Sequence, residues 1–167
     1  MGKGLQKPAR RGPPWALLAS GVVAVTALMG WLAWQAGRPA VELKPAVQLT
    51  LHQAPGCGCC GEYVAYLRET GYAVRVVLEQ DMQAVKERYR VPRALWSCHT
   101  VAVGRYFVEG HVPVEAVEEL LRRSPDLLGI ALPGMPGGSP GMAGPREGPL
   151  VVYAVSPEGR WREFARF

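Results

Sequence analysis

Hydrophobic and polar side chains alternate over residues 47–52, as they do in a strand with one buried face. A Pro-Gly turn then ends this strand. From Cys60 onward the apolar side chains of Val64 and Leu67 follow at helical spacing, and Gly71 stands where a helix C-terminus favours a left-handed residue. The pattern predicts a strand followed directly by a helix.

The same periodicities predict five further elements. They are a strand over 73–78, a helix that Asp81 caps and Pro92 ends, short strands over 100–103 and 106–109, and a helix that Pro113 opens. The resulting order is β-α-β-α-β-β-α. With a right-handed crossover between the first two strands, it is the arrangement of a thioredoxin-like domain of the α/β class.

Two segments follow the last helix. Residues 150–155 and 160–167 alternate around a Ser-Pro-Glu-Gly turn, which predicts an appended C-terminal β-hairpin. Before it, residues 131–149 contain five prolines and six glycines, a composition that excludes helix and sheet. This segment is also too apolar for a solvated linker, so we expect it to fold back over the domain.

An uncharged run of 22 residues, 15–36, is long enough to cross a bilayer as a helix. Basic residues precede it, which predicts a cytoplasmic N-terminus for residues 1–14, a transmembrane anchor over 15–36 and a linker over 37–45. The domain over 46–167 is then periplasmic or otherwise extracytoplasmic, on a single-pass protein of the cytoplasmic membrane. A cleaved signal peptide is the alternative, but the run is longer than its usual apolar region, and bulky Trp34 would occupy the −3 position.

The charge distribution bears on the choice of partner. The formal net charge is +5, but four basic residues stand before the hydrophobic run, and the remainder carries 15 basic and 14 acidic side chains. A nucleic-acid-binding domain shows its basic excess on the folded part. We therefore expect no nucleic acid as a partner. The expected partner is the membrane, through the N-terminal helix.

The candidate chemistry lies in the sequence Cys57-Gly-Cys59-Cys60, between the first strand and the first helix. A helix N-terminus favours thiolate over thiol. Cys57 and Cys60 have the CxxC spacing of a dithiol enzyme, whereas Cys59 adds a third sulfur that such an enzyme does not need. Three close thiolates repel one another, and a soft cation such as Cu(I) relieves that repulsion.

The fourth cysteine, Cys98, precedes the strand over 100–103, where thioredoxin-like folds bring a cis-proline against the CxxC. Here Cys98 and His99 stand in that region, so topology predicts that all four cysteines converge. Three alternatives remain beside copper binding. They are a membrane-tethered thiol-disulfide oxidoreductase with Cys57 as nucleophile and Cys60 as resolving thiol, a pair of structural disulfides, and a zinc site.

Three motifs resemble the small periplasmic copper-resistance proteins of the CopG type. They are PGCGCCGEYVAYLRETGY, VPRALWSCHTVAVGRYFVEGHVP and GIALPGMPGGSPGM, in that order within residues 47–167. The resemblance implies a thioredoxin-like fold that binds copper through cysteine sulfurs, with several copper ions bridged by them. Cys57, Cys59, Cys60 and Cys98 match the cysteine positions of that family.

Further candidate ligands surround these cysteines. His99 is adjacent to Cys98, and imidazole binds both Cu(I) and Cu(II). Met135 and Met142 carry thioethers that suit Cu(I), or they fill gaps between the loop and the core. His111 is a weaker candidate that the backbone could hold instead. His52 we interpret as a strand residue, or as one that orients a ligand without binding metal.

These patterns together predict an extracytoplasmic copper-binding protein that sequesters, relays or oxidises Cu(I). Other copper-handling proteins are then its expected partners. We expect a binding protein rather than an enzyme. If it turns over, the expected reaction is that of a thiol or copper oxidoreductase.

Overall fold

The computed structural model of the protein describes residues 28–31 and 47–167. The chain divides into two compact units, Met1–Glu42 and Leu43–Phe167. In the first unit, residues 28–31 are helical and exposed. Within the described residues no helix is both long and apolar enough to cross a membrane. The rest of the predicted anchor over 15–36 lies outside the described residues.

The described part of the second unit contains one mixed sheet and three α-helices. Its strands are β1 (Gln48–Gln53), β2 (Ala73–Leu78), β3 (His99–Val103), β4 (Tyr106–Glu109), β5 (Gly129–Ala131), β6 (Val151–Val155) and β7 (Trp161–Arg166). Its helices are α1 (Gly58–Glu69), α2 (Met82–Arg88) and α3 (Val114–Arg123), with a short 3₁₀ turn at Arg93–Leu95. The predicted order β-α-β-α-β-β-α is present from β1 to α3, so the α/β class is confirmed.

The helix ends follow the sequence signals. Asp81 accepts a hydrogen bond from the Ala84 N–H at 3.0 Å and so caps α2. After α1, Gly71 has φ +92 and its N–H donates to the Arg68 carbonyl, while the Tyr72 N–H donates to the Leu67 carbonyl. This left-handed termination turns the chain directly into β2.

The sheet has the strand order β2-β1-β3-β4-β5-β6-β7. β1 is parallel to β2 and antiparallel to β3, which is in turn antiparallel to β4. Gln53 at the end of β1 is therefore opposite His99 at the start of β3. Consequently the turn that leads from β1 into α1 and the segment that enters β3 lie at the same end of these two neighbouring strands.

Strand β5 was not predicted. It has only three residues, which is too short for a periodic signal, and it is fully buried between β4 and β6. Gly129 lies so close to Phe107 that a Cβ would overlap its carbonyl oxygen. Because β5 pairs with both β4 and β6, the C-terminal hairpin of β6 and β7 is continuous with the sheet rather than a separate appendage.

Helices cover both faces of the sheet. On one face, Leu49 and Leu51 of β1 pack in a cluster with Leu67 of α1 and Leu120 of α3. On the other, Phe107 belongs to a second cluster against which Tyr89, at the end of α2, packs. Val108, the neighbour of Phe107, lies in the first cluster, as the alternation of a strand requires.

The loop rich in proline and glycine folds back onto the domain, as predicted, and residues 133–149 contain neither helix nor strand. The expectation was wrong only for Ala131, which ends β5. Gly141 has φ +75 and passes so close to α1 that a Cβ would lie 2.6 Å from the Tyr63 nitrogen. The Pro140 carbonyl lies 2.7 Å from His111 Nδ1. The loop is thus fixed to α1 on one side and to the segment before α3 on the other.

Candidate metal centre

The Cys57-Gly-Cys59-Cys60 sequence lies at the N-terminus of α1, as predicted. Cys57 is the N-cap residue, its conformation is extended, and its side chain does not cap the helix. Cys59 and Cys60 belong to the first turn, and Cys60 is fully buried. The sulfurs therefore stand at the end of the helix where backbone N–H groups favour negative charge.

The four cysteine sulfurs converge. Cys57 and Cys60 form a disulfide, while Cys59 and Cys98 are free. The Sγ atom of Cys59 lies 3.7 Å from that of Cys57 and 3.9 Å from that of Cys98. All four Sγ atoms lie within 4.8 Å of one another, a spacing that could hold a metal ion. The structure differs from the expectation of four thiolates, because two of the four sulfurs are joined.

Cys98 also belongs to a second group of candidate ligands. Its Sγ atom lies 3.2 Å from His99 Nδ1 and 3.1 Å from His111 Nε2, and the three ligand atoms are within 4.8 Å of one another. His111 Nδ1 donates a hydrogen bond to the Pro140 carbonyl, which leaves Nε2 of the neutral ring with its lone pair toward Cys98. Cys98 thus belongs both to the cluster of four cysteines and to a cluster with the two histidines.

Burial decides the charges in this centre. It raises the pKa of the Cys98 thiol from its ordinary value of 9.0 to about 12, and the nearby Cys59 adds to the effect. Burial also lowers the pKa of His99 well below 6.5, helped by the charges of His111 and Lys86. The pKa of His111 is lowered by burial as well. At neutral pH the centre therefore holds neutral imidazoles and a protonated Cys98, and a bound cation would be needed to stabilise the thiolate.

Comparison with known proteins agrees with this geometry. Two solved structures, described as "Copper resistance protein copG- Form 2" and "Copper resistance protein copG- Form 1", are each 39% identical, with TM-scores of 0.69 and 0.68. Each match covers 73% of this chain and 98% of the other. The chain belongs to the CopG copper-resistance protein family. A family model described as "Protein of unknown function, DUF411" matches residues 95–142, and a search of curated proteins returns no match.

The DUF411 match contains every predicted ligand outside the cysteine sequence of α1. Those residues are Cys98, His99, His111, Met135 and Met142. The structure brings the first three together. The DUF411 match and the geometry thus coincide on the segment that enters β3 and the segment that leaves β4.

The two methionines lie in the loop that passes this centre. Met135 is 54% exposed, and its neighbour Gly134 accepts a hydrogen bond from the Ser97 hydroxyl. Met142 is partly buried and follows Gly141, which packs on α1. The loop therefore approaches both cysteine-bearing segments, and ligation by the two thioethers remains a prediction.

His52 lies in a separate polar cluster. Its Nδ1 atom is 2.8 Å from a Glu79 carboxylate oxygen, and its Nε2 atom is 3.3 Å from the Tyr89 hydroxyl. Both ring nitrogens are thus engaged by protein groups, which agrees with its interpretation as a strand residue.

Tyr63 is a site residue that the sequence interpretation missed. It is fully buried, its ring centroid lies 4.7 Å from that of His99 and 5.2 Å from that of His111, and its hydroxyl donates to the Val112 carbonyl at 2.7 Å. Its position three residues after Cys60 places it on the buried face of α1, but that spacing is also what a core residue requires. Tyr63 therefore packs against both imidazoles in the interior of the domain.

Proposed function

We propose that this protein binds copper on the extracytoplasmic side of the membrane and sequesters, relays or oxidises Cu(I). The observation that carries the proposal is the convergence of Cys57, Cys59, Cys60 and Cys98 within 4.8 Å. The names of the solved relatives, which are copper-resistance proteins, support it. In this proposal copper is the cargo of the domain, and the four sulfurs are its principal ligands.

The proposal includes a thioredoxin-like core made of β1 to β4 with α1, α2 and α3. The strand order β2-β1-β3-β4 supports it, as do the parallel pairing of β1 with β2 and the antiparallel pairing of β3 with both neighbours. This topology supplies the two features that the centre uses. One is a helix N-terminus for the cysteine sequence, and the other is a neighbouring strand entry for Cys98.

The donor set suits copper in both of its common oxidation states. Thiolate sulfur is a soft ligand that favours Cu(I), and the imidazoles of His99 and His111 bind Cu(II) as well. Sulfurs this close can also bridge several copper ions, as the family resemblance implies. Zinc fits less well, because structural zinc sites usually draw on two separated CxxC pairs, and here three cysteines fall within four residues.

The disulfide makes the proposed binding depend on redox state. Reduction of the Cys57–Cys60 bond by two electrons and two protons yields two further thiols. Before that reduction the free ligands of the centre are Cys59, Cys98 and the two imidazoles. We therefore propose that the reduced protein is the form with full copper capacity.

The experiment that tests this function offers two metals at once. The purified protein, reduced and kept anaerobic, receives equal copper and zinc, and the retained metal is quantified by elemental analysis. Copper in preference to zinc is expected, with a smaller amount of copper on protein that keeps its disulfide. Retention of zinc alone, or of neither metal, would contradict the proposal.

A second candidate function is thiol-disulfide exchange, and the Cys57–Cys60 disulfide favours it. In this candidate Cys57 is the nucleophile and Cys60 is the resolving thiol. It is tested by the rate at which the reduced, metal-free protein reduces a small disulfide substrate. Exchange that depends on Cys57 and Cys60, in a protein that retains no copper, would make this candidate the better one.

A further inference from the structure

A buried ion pair lies next to the segment that carries Cys98. Lys86 Nζ of α2 is 2.6 Å from Glu109 Oε1 at the end of β4, and the two side chains are 5% and 0% exposed. The Thr100 hydroxyl donates to Glu109 Oε2 at 2.6 Å, and Lys86 also donates to that hydroxyl at 3.3 Å. The Ser97 backbone N–H donates to Glu109 Oε1 at 2.6 Å. One carboxylate thus joins α2, β3, β4 and the residue before Cys98.

We propose that Glu109, held in place by Lys86, is a positioning residue for Cys98. The carboxylate fixes the Ser97 backbone, and this aims the Cys98 sulfur at Cys59 and at the two imidazoles. An effect of Glu109 on copper binding rests on the proposed function. An effect of Glu109 on the position of the Cys98 sulfur does not rest on it and can be measured without metal.

Two observations favour positioning over stabilisation alone. A buried ion pair is a poor device for stability, because the cost of desolvating both charges can exceed their attraction. The contacts at the end of β4 also converge on the Cys98 segment. The Gly110 N–H donates to the His99 carbonyl at 3.1 Å, and a Cβ on Gly110 would lie 2.7 Å from the Ser97 side chain. Glu109 and Gly110 thus hold the backbone on both sides of Cys98.

The test measures how readily Cys59 and Cys98 form a disulfide. The full-length protein carries Cys57→Ser and Cys60→Ser, so that the only cysteines left are Cys59 and Cys98, whose sulfurs are 3.9 Å apart. Diamide takes two electrons and two protons from the two thiols. One thiol first adds to diamide, and the second thiol then attacks that sulfur and displaces the reduced hydrazine as the disulfide forms. Only this second step is intramolecular, so its rate, measured at saturating diamide, reports how well the sulfurs are placed relative to each other.

Two double variants isolate the hydrogen bond to Ser97. Lys86→Leu/Glu109→Gln removes both charges but keeps an oxygen that can accept from the Ser97 N–H. Lys86→Leu/Glu109→Leu removes that oxygen as well. Val85→Ala, at a buried neighbour of Lys86 outside the network, is the control for a general loss of stability. Circular dichroism establishes that each variant is folded.

The expected result separates the two double variants. The glutamine variant and Val85→Ala should form the disulfide within about threefold of the parent rate, and the leucine variant should be slower by about tenfold or more, as a misplaced reacting group requires. Equal rates in the glutamine and leucine variants would overturn the proposal. So would an equal slowing in Val85→Ala.

A second pair of variants removes the donor instead of the acceptor and serves if the leucine variant does not fold. Ser97→Pro has no backbone N–H, whereas Ser97→Ala keeps it and loses only the hydroxyl. Slower disulfide formation in Ser97→Pro alone supports the proposal, and equal rates overturn it. Copper retention is measured in parallel with all four cysteines present. It should fall in the variants that form the disulfide slowly and stay near the parent value in the others. If the parent binds no copper, the copper function fails while the disulfide rates still decide the role of Glu109.

Discussion

Cys59 occupies the middle of the candidate centre. Its sulfur is 3.7 Å from Cys57 and 3.9 Å from Cys98, so it links the helix N-terminus to the strand entry. A CxxC pair alone would leave Cys98 without a free thiol partner in this arrangement. Cys59 is therefore the residue that best distinguishes metal binding from dithiol exchange.

We predict that Cys59→Ser lowers copper affinity by about 100-fold or more, since even the outer partners of metal ligands cost 10–100-fold when changed. Exchange through Cys57 and Cys60 should remain. The measurement is competition against a Cu(I) chelator, together with the rate of disulfide exchange. Gly61→Ser is the matched control, because its Cβ would meet no atom within 4 Å. Copper held as tightly as in the parent would contradict a role of Cys59 as a copper ligand, and loss of exchange would contradict exchange through Cys57 and Cys60 alone.

The histidines predict how the stability of the reduced, metal-free protein varies with pH. The pKa values of His99 and His111 are lowered in the folded state, chiefly by burial, from an ordinary value of 6.5. Below about pH 6.5 the unfolded chain binds protons that the folded chain does not, so stability is present above that pH and is lost as the pH falls. Each histidine contributes a slope of up to about 1.4 kcal/mol per pH unit.

Urea unfolding at several pH values measures this slope. Burial raises the pKa of Glu109, which contributes the opposite sign, with stability lost as pH rises above 4.5. The comparison is therefore made with His99→Gln/His111→Gln, which keeps Glu109. The slope between pH 5.5 and 7 should be smaller in the variant than in the parent. Identical slopes would show that the histidines do not remain neutral in the folded protein.

At the scale of elements, the loop over residues 133–149 is attached to the centre through a close contact. Gly141 has φ +75, and a Cβ there would lie 2.6 Å from the Tyr63 nitrogen of α1. We predict that Gly141→Ala lowers the free energy of unfolding by about 1–3 kcal/mol or more, from backbone strain and overlap together. Copper affinity should fall with it, because Pro140 next to it orients His111.

A substitution at a neighbouring glycine, Gly144, separates the effect of backbone strain from that of overlap with α1. Gly144 has φ +96, yet a Cβ there would meet no atom within 4 Å. Gly144→Ala should therefore cost only the strain and leave copper affinity unchanged. Thermal unfolding and copper titration of the two variants make the comparison. Equal losses in both would mean that the contact with α1 is unimportant.

The thioethers of the same loop require a different substitution. Met135→Leu/Met142→Leu keeps volume and apolarity while it removes sulfur, so stability should change by less than about 1.5 kcal/mol. If the thioethers are ligands, the affinity for Cu(I) should fall, because a soft donor has been lost. Titration with Cu(I) in the presence of a chelator measures this. A double variant that binds copper like the parent would assign both methionines to packing.

The elements that carry the centre could be predicted because their signals are local. The Asp81 cap, the left-handed Gly71 and the alternation in β1 each depend on a few neighbouring residues. The convergence of Cys98 with the Cys57-Gly-Cys59-Cys60 sequence could also be predicted, since the topology of the first four strands places both at the same end of neighbouring strands. Local signals, together with the strand topology that they imply, thus sufficed to predict that the four cysteines converge.

The missed features depend on contacts between distant residues. Strand β5 is defined by its pairing with β4 and β6, and the pairing of Lys86 with Glu109 spans two elements. Nothing in the sequence around Lys86 or Glu109 distinguishes either of them from a charged residue on the surface. The disulfide between Cys57 and Cys60 was one of several open pairings, and spacing alone did not select it.

At the scale of the whole molecule, the hydrophobic run over residues 15–36 separates the basic N-terminus from a domain of nearly balanced charge. A positively charged flank keeps the N-terminal side of such a run in the cytoplasm. The compartment beyond the membrane is oxidising, which suits a domain whose Cys57 and Cys60 form a disulfide. The predicted topology and the chemistry of the centre are thus compatible with each other.

We therefore predict that the protein remains attached to the membrane with its C-terminal domain outside the cytoplasm. A reporter enzyme that is active only after export, fused after Phe167, should be active. The fusion should also stay with the membranes after an alkaline wash, since the apolar run of 22 residues is long enough to span the bilayer. Replacing two central residues of the run, Val23→Arg/Val25→Arg, is the matched control and should abolish both results, because each arginine costs about 2.5–3.5 kcal/mol at the centre of a span. Recovery of the parent as a soluble, shortened protein that starts near Gly37 would replace the anchor with a cleaved signal peptide.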